Sequence, residues 1–193
     1  MNSKLAVLLV ILICVFSTIS HAEDYHIKNI RKLYNHLKKT ESNFQKHVVT
    51  LNVVYPAIGL QKTKITFIHS SKQVNPQRDP YQMKFILKKV IVAYNISAHA
   101  TFYMEYLYDQ SQSPCFFYTK QKGIESGEKR LYFHKNRLIT IIRKDKTSKS
   151  RLLSYTSGTR IKLSDIKYSK VILKKMFRYR DMFKELVKME KLK

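Results

Sequence analysis

MKFILKKVIVAYNISAHATFYMEYLYD, residues 83–109, is the stretch on which the fold turns. Met83–Ile96 and His99–Asp109 are dense in Val, Ile, Phe and Tyr, the residues that fit a pleated, half-buried surface. Asn95–Ala98 supplies a turn between them. Downstream, Gln110–Pro114 leads into a further strand, Cys115–Lys120. After Gly123–Gly127, Lys129–Phe133 and Leu138–Arg143 form a hairpin joined by His134-Lys135-Asn136-Arg137. Leu152–Ile161 reads as one more short strand or hairpin, turning near Ser157-Gly158.

Upstream, Ser71–Pro80, with Asn75-Pro76 and Asp79-Pro80, is expected to be a loop. Before it, His47–Tyr55 and Lys62–Ser70 are strand-like and separated by the turn Pro56-Ala57-Ile58-Gly59. The period changes at both ends of the chain. From Asp24 to about Asn43, Ile27, Ile30, Leu33 or Tyr34, and Leu37 recur at helical steps. Glu23 and Asp24 at the start and Lys38-Lys39 near the end match the helix dipole. A second helix, capped by Ser164 or Asp165, runs to about Met189 with Ile172, Leu173, Met176, Tyr179, Phe183 and Leu186-Val187 on its apolar face. Helix, many antiparallel strands, helix is an α+β order. The expected architecture is one antiparallel sheet of about six to eight strands packed by an N-terminal and a C-terminal helix.

The first 22 residues read as an address. Lys4 is a short positive region, Leu5–Phe16 is unbroken apolar sequence, and Ser20-His21-Ala22 puts small residues where a signal peptidase reads. The apolar run falls short of the roughly 20 residues of a spanning helix, and Ile13 before Cys14 is not a lipoprotein signal. The expectation is a signal peptide over 1–22, a single α+β domain over 23–193, and no transmembrane span in the mature chain. The exported protein would be periplasmic, or secreted.

The chain has 193 residues with 37 Lys+Arg against 13 Asp+Glu, a formal charge of +24. Removal of residues 1–22 takes away Lys4 and no acid, leaving +23. Hydrophobic residues at 44% exclude a wholly disordered chain despite that charge. Four glycines leave little material for a phosphate-cradling loop. With Cys14 removed, Cys115 stands alone, which excludes an internal disulfide framework and multi-cysteine zinc sites. In Pro114-Cys115-Phe116-Phe117 it reads as a small buried hydrophobe.

Tyr81–Arg143 resembles a group of small exported bacterial proteins of unknown function. These carry an aromatic strand pair followed by a hairpin of the kind Tyr-Tyr-Phe-x-x-Gly-Lys-Leu-Ile. The matching residues are Leu131-Tyr132-Phe133 and Leu138-Ile139, with Asn136-Arg137 in place of Gly-Lys, and Ala100–Tyr108 as the aromatic strand. The resemblance implies an exported α+β module and brings no catalytic residue with it.

No catalytic motif stands out. Tyr155-Thr156-Ser157-Gly158 lacks the first glycine of a nucleophile elbow, and Gly123–Lys129 has neither the spacing nor the hydroxyl of a Walker loop. No histidines stand at metal-ligand spacing, so neither a metal nor another cofactor is expected. Glu105 is the acid to watch, because it lies inside the aromatic strand. There a structural ion pair is the expected role, ahead of a general acid.

The remaining lead is the positive charge. Arg143, Lys144, Lys146, Lys149 and Arg151 cluster after a strand, and Lys174, Lys175 and Arg178 lie opposite the apolar face of the last helix. These are the candidate contacts for an anionic envelope component or an acidic protein. Sequence-specific nucleic acid fits poorly, since 28 Lys stand against 9 Arg and base readout favours Arg. The sequence therefore points to an exported, non-enzymatic binding or accessory protein of the cell envelope. One alternative is a carrier of a lipid or other hydrophobic ligand, with Phe102, Met104, Tyr106, Phe116 and Tyr118 lining a pocket between sheet and helices. Another is a secreted factor acting on a host cell.

Overall fold

Every strand of the sheet pairs antiparallel with its neighbour in sequence. The computed structural model describes residues 25–56, 59–75, 77, 79–96, 100–123, 126–145, 153–156 and 161–190. In it a helix over 25–39 (α1) and a 3₁₀ turn, Glu41–Asn43, precede eight strands. These are β1 (Gln45–Tyr55), β2 (Gly59–Asn75), β3 (Asp79–Ile96), β4 (Ala100–Tyr108), β5 (Pro114–Lys122), β6 (Gly127–His134), β7 (Arg137–Asp145) and β8 (Leu153–Thr156). The last element is α2 (Leu163–Glu190). The strand order is β1 to β8 without a crossover, and the class is α+β as expected.

The two helices cover opposite faces of the sheet. Ile65, Phe67, Leu87, Val90, Val92, Tyr106, Phe117, Leu131 and Ile141 point to α2, where Ile172, Leu173, Met176, Phe183 and Val187 meet them. On the other face Leu107, Phe116, Tyr132, Ile139 and Ile142 pack on Ile27, Ile30 and Leu37 of α1. α2 crosses the sheet obliquely. Asp165, in its first turn, is buried and ion-paired with Arg143 of β7, while Phe183 stacks 5.9 Å from Phe67 of β2. Between those ends the buried Tyr108 hydroxyl donates to the Met176 carbonyl at 2.7 Å, tying helix to sheet.

Besides a register shift between Gln73 and Asn75, three single-residue bulges decide which residues face which helix. The register skips Lys88 in β3, Cys115 in β5 and Ile139 in β7. Each extra residue shifts the alternation by one, so that Leu87 and Val90, for example, both reach the α2 core. Cys115 is buried at its bulge, its thiol donating to the Leu107 carbonyl at 3.4 Å, and burial pushes its pKa up.

Several expected boundaries move. Residues 71–75 and 79–80 continue β2 and β3, because the long ladder, with Lys72 opposite Lys84 and Gln73 opposite Met83, takes up backbone groups that polar side chains alone would leave to a loop. α1 stops at residue 39, where the Thr40 hydroxyl bonds back to the His36 carbonyl at 2.9 Å. Asp165 is an ion-pair partner inside α2, which begins at Leu163, and so is not its cap. The β6–β7 turn needs two left-handed residues, and Lys135 (φ 47°) and Asn136 (φ 62°) supply them without glycine. The proposed signal peptide, residues 146–152, and residues 157–160 of the last expected hairpin lie outside the described residues.

Two substitutions test this packing by urea unfolding followed by circular dichroism. Phe117→Ala should cost about 3–5 kcal/mol, the usual range for emptying a buried phenylalanine site. Tyr108→Phe should cost about 1 kcal/mol through loss of its hydrogen bond to the Met176 carbonyl.

Candidate functional site

Four strands present three parallel rows of side chains beneath α1. Leu107, Phe116, Tyr132 and Thr140 pair across β4 to β7, as do Glu105, Tyr118, Arg130 and Ile142, and then Tyr103, Lys120, Glu128 and Lys144. The first row is buried against α1, whereas Lys120 and Lys144 in the third reach solvent. Polarity thus rises along the strands under a single helix. Ile30, Arg31, Tyr34, Asn35 and Lys38 of α1, one helical stripe, close over this floor. Between them lies a cavity of about 790 Å³, within the usual size range of small-molecule sites.

Glu105 is the centre of its polar network. The residue is only 6% exposed. The Tyr103 hydroxyl donates to Oε1 at 2.5 Å, and Lys89 Nζ stands 3.9 Å from the same oxygen. Lys89, itself buried, donates to Glu41 Oε2 at 2.6 Å, and Lys46 meets the other Glu41 oxygen at 3.2 Å. Burial works to raise the Glu41 pKa, but the hydrogen bonds and charges of Lys89 and Lys46 outweigh it and bring it down. Glu105 Oε2 is buried without a hydrogen-bond partner. Leaving such an oxygen unmet costs about 1–3 kcal/mol, and the Tyr34 hydroxyl, close enough to the Glu105 carboxylate to have its pKa raised by it, is a donor already at hand.

The surrounding tyrosines are held neutral. Burial, then the Glu105 carboxylate, raises the pKa of both Tyr34 and Tyr103. Tyr118 is pushed up to about 12 by burial and then by Glu128. Each phenol therefore remains a hydrogen-bond donor at neutral pH. Arg31 lies over the Tyr132 ring and Arg130 over the Tyr118 ring, 5.7 and 5.8 Å from the centroids, with Arg130 also 3.7 Å from Glu128. The cavity thus combines a buried acceptor, four tyrosines and a cationic rim.

The apolar pocket expected from sequence does not assemble. Phe102 and Met104 line a separate cavity of about 360 Å³ on the α2 face, and Tyr106 is core there. Phe116 and Tyr118 face α1, because residue 116 pairs with 107 and 118 with 105. The expected basic cluster divides as well. Arg143 is occupied by Asp165 on the α2 face, Lys144 is exposed on the α1 face, and Lys174, Lys175 and Arg178 are exposed on α2. Lys146, Lys149 and Arg151 lie outside the described residues. Glu105 does have the expected ion pair, while Lys89, Tyr34 and Arg130 carried no sequence signal.

Two histidine pairs complete the polar inventory. His47 and His69 approach to 2.7 Å between ring nitrogens, and His26 of α1 stacks on His134 of the β6–β7 turn at 3.7 Å. Among the described residues no three His, Cys, Asp or Glu side chains gather as metal ligands. Compared with known proteins, the chain matches no protein-family model, no curated protein and no solved structure. What the fold and site define is an α+β protein with a carboxylate-floored cavity beneath its first helix.

The His26–His134 stack joins α1 to the β6–β7 hairpin. Burial and then the neighbouring His26 and Lys135 lower the His134 pKa below 6.5, against a smaller opposing effect of Asp109. A histidine depressed on folding stabilises fully above its unfolded value, and that contribution is lost as pH falls through the folded value. Thermal melts should therefore lose stability as pH drops below about 6.5, and His134→Gln should flatten that slope. Separately, Lys89→Met should destabilise by about 3–5 kcal/mol at neutral pH, because Glu105 loses its only buried cation among the described residues.

Proposed function

We propose that the chain is an exported, non-enzymatic binding protein of the bacterial cell envelope. Its ligand, in this reading, is a small, hydroxyl-rich molecule carrying a negative charge, such as an acidic sugar, held between α1 and the sheet. The observation that carries the reading is the cavity of about 790 Å³ in which Glu105, four tyrosines and the cations Arg31, Lys38 and Arg130 meet. Ligand hydroxyls would exchange hydrogen bonds with the tyrosine hydroxyls and Asn35. Tyrosine rings suit the C–H faces of a sugar, and Arg31, Lys38 and Arg130 suit an anionic substituent. Export rests on the pattern of Lys4, Leu5–Phe16 and Ser20-His21-Ala22.

Two competing roles have less support. A lipid carrier needs an apolar chamber, whereas five charged side chains, Asn35 and four tyrosines line this one. Turnover by the thiol is disfavoured, since Cys115 is buried and un-ionised.

Calorimetric titration of acidic and neutral mono- and disaccharides into the protein tests the proposal. Acidic sugars should bind with salt-sensitive affinity, and Glu105→Gln, which keeps the Lys89–Glu41 pair, should weaken binding about tenfold or more. Binding of fatty acids instead, or affinity indifferent to Glu105, would overturn the ligand assignment. Hydrolysis of glycosides would overturn the non-enzymatic one.

A further inference from the structure

α2 is built in two electrostatic halves. From Leu163 to Arg180 its sole acid is Asp165, which is buried and held by Arg143. Over the same span Lys167, Lys170, Lys174, Lys175 and Arg178 are exposed. In the second half the charges answer one another: Asp181 meets Arg180 at 3.6 Å and Lys184 at 3.4 Å, and Glu185 meets Lys188 at 2.7 Å. A merely Lys-rich composition would not divide one helix in this way.

The basic half also exposes apolar side chains that the core leaves out. Leu163 is 67%, Val171 54% and Ile166 37% exposed, while Ile172, Leu173 and Met176 turn inward. At about 100° per residue, Leu163, Lys167, Lys170, Val171, Lys174 and Arg178 fall within roughly 100° of the helix circumference. Ile166 flanks this arc, and the β6–β7 turn sets Arg137 beside Ile166 and Lys170.

We propose that this outward face of α2, from Leu163 to Arg178, docks the protein on an anionic membrane surface. The lysines meet lipid phosphates while their alkyl stems and the exposed Leu163, Val171 and Ile166 sit at the headgroup boundary. A bilayer accounts for the combination better than nucleic acid does. A phosphate backbone uses the charge but has no use for exposed aliphatic side chains. Among the described residues no helix is long and apolar enough to cross the membrane. This inference is independent of the Glu105 cavity, which lies on the opposite face of the sheet.

Co-sedimentation of the protein, isolated after export, with vesicles of phosphatidylcholine alone or mixed with phosphatidylglycerol tests it. Binding is expected on the anionic vesicles only, weakening as salt rises. Lys167→Glu, Lys170→Glu and Lys174→Glu together should reduce it on the order of 100-fold. Leu163→Ser with Val171→Ser, which leave the charge unchanged, should reduce it severalfold. Lys184→Glu with Lys188→Glu, changing charge in the second half, should have a much smaller effect. Circular dichroism of every variant separates lost binding from lost helix. No binding to anionic vesicles, or equal loss from changes in either half, would overturn the proposal. Tight, salt-sensitive binding to duplex DNA that ignores the serine changes would assign the face to nucleic acid instead.

Discussion

A sheet covered on both faces must offer each helix its own set of side chains from the same strands, and every other feature of this molecule follows from how that is met. Strict alternation would suffice if each strand kept one register. β3, β5 and β7 each take an extra residue, at Lys88, Cys115 and Ile139, and exchange faces there. The α2 core can then collect Leu87 with Val90 and Leu138 with Ile141, while Cys115 and Phe116 both serve the α1 side. The Tyr108–Met176 hydrogen bond holds the long helix to the face this creates. The α1 face, left with fewer apolar residues, keeps its polar ones and the space between them.

That division explains what could be read in advance. Composition and period identify the strands around residues 83–109, both helices and the β6–β7 hairpin, because each is a local property. The buried thiol is local too, since Cys115 stands among Pro114, Phe116 and Phe117. A bulge leaves no comparable trace. Phe102, Met104, Tyr106, Phe116 and Tyr118 are all aromatic-strand residues, and only the pairing of 107 with 116 reveals that they belong to two faces. Glu105 stood out as an acid among aromatics. Its cation, Lys89, comes from β3 next to the skipped Lys88, and Glu41 arrives from the turn after α1.

The positive charge likewise separates once neighbours are known. Lys89 is buried and committed to Glu41 and Glu105, and Arg143 to Asp165. Arg130 lies against Tyr118 and Glu128, while Lys129 stands over Tyr168. These cations belong to the fold or the cavity. Those on the outer arc of α2 between Lys167 and Lys174 have no acid three or four residues away on their own helix, which is why they, rather than net charge, bear on a partner.

The uncrossed strand order also bears on how the chain is assembled. Because each strand lies beside its predecessor, a chain delivered N-terminus first can add strands one at a time, each finding its template already present. α1 is the exception. It appears before any strand, yet the platform that buries Ile27, Ile30 and Leu37 is complete only when β7 has been added. The platform for α1 therefore spans strands up to β7, and the chamber beneath it cannot be complete before that strand is in place.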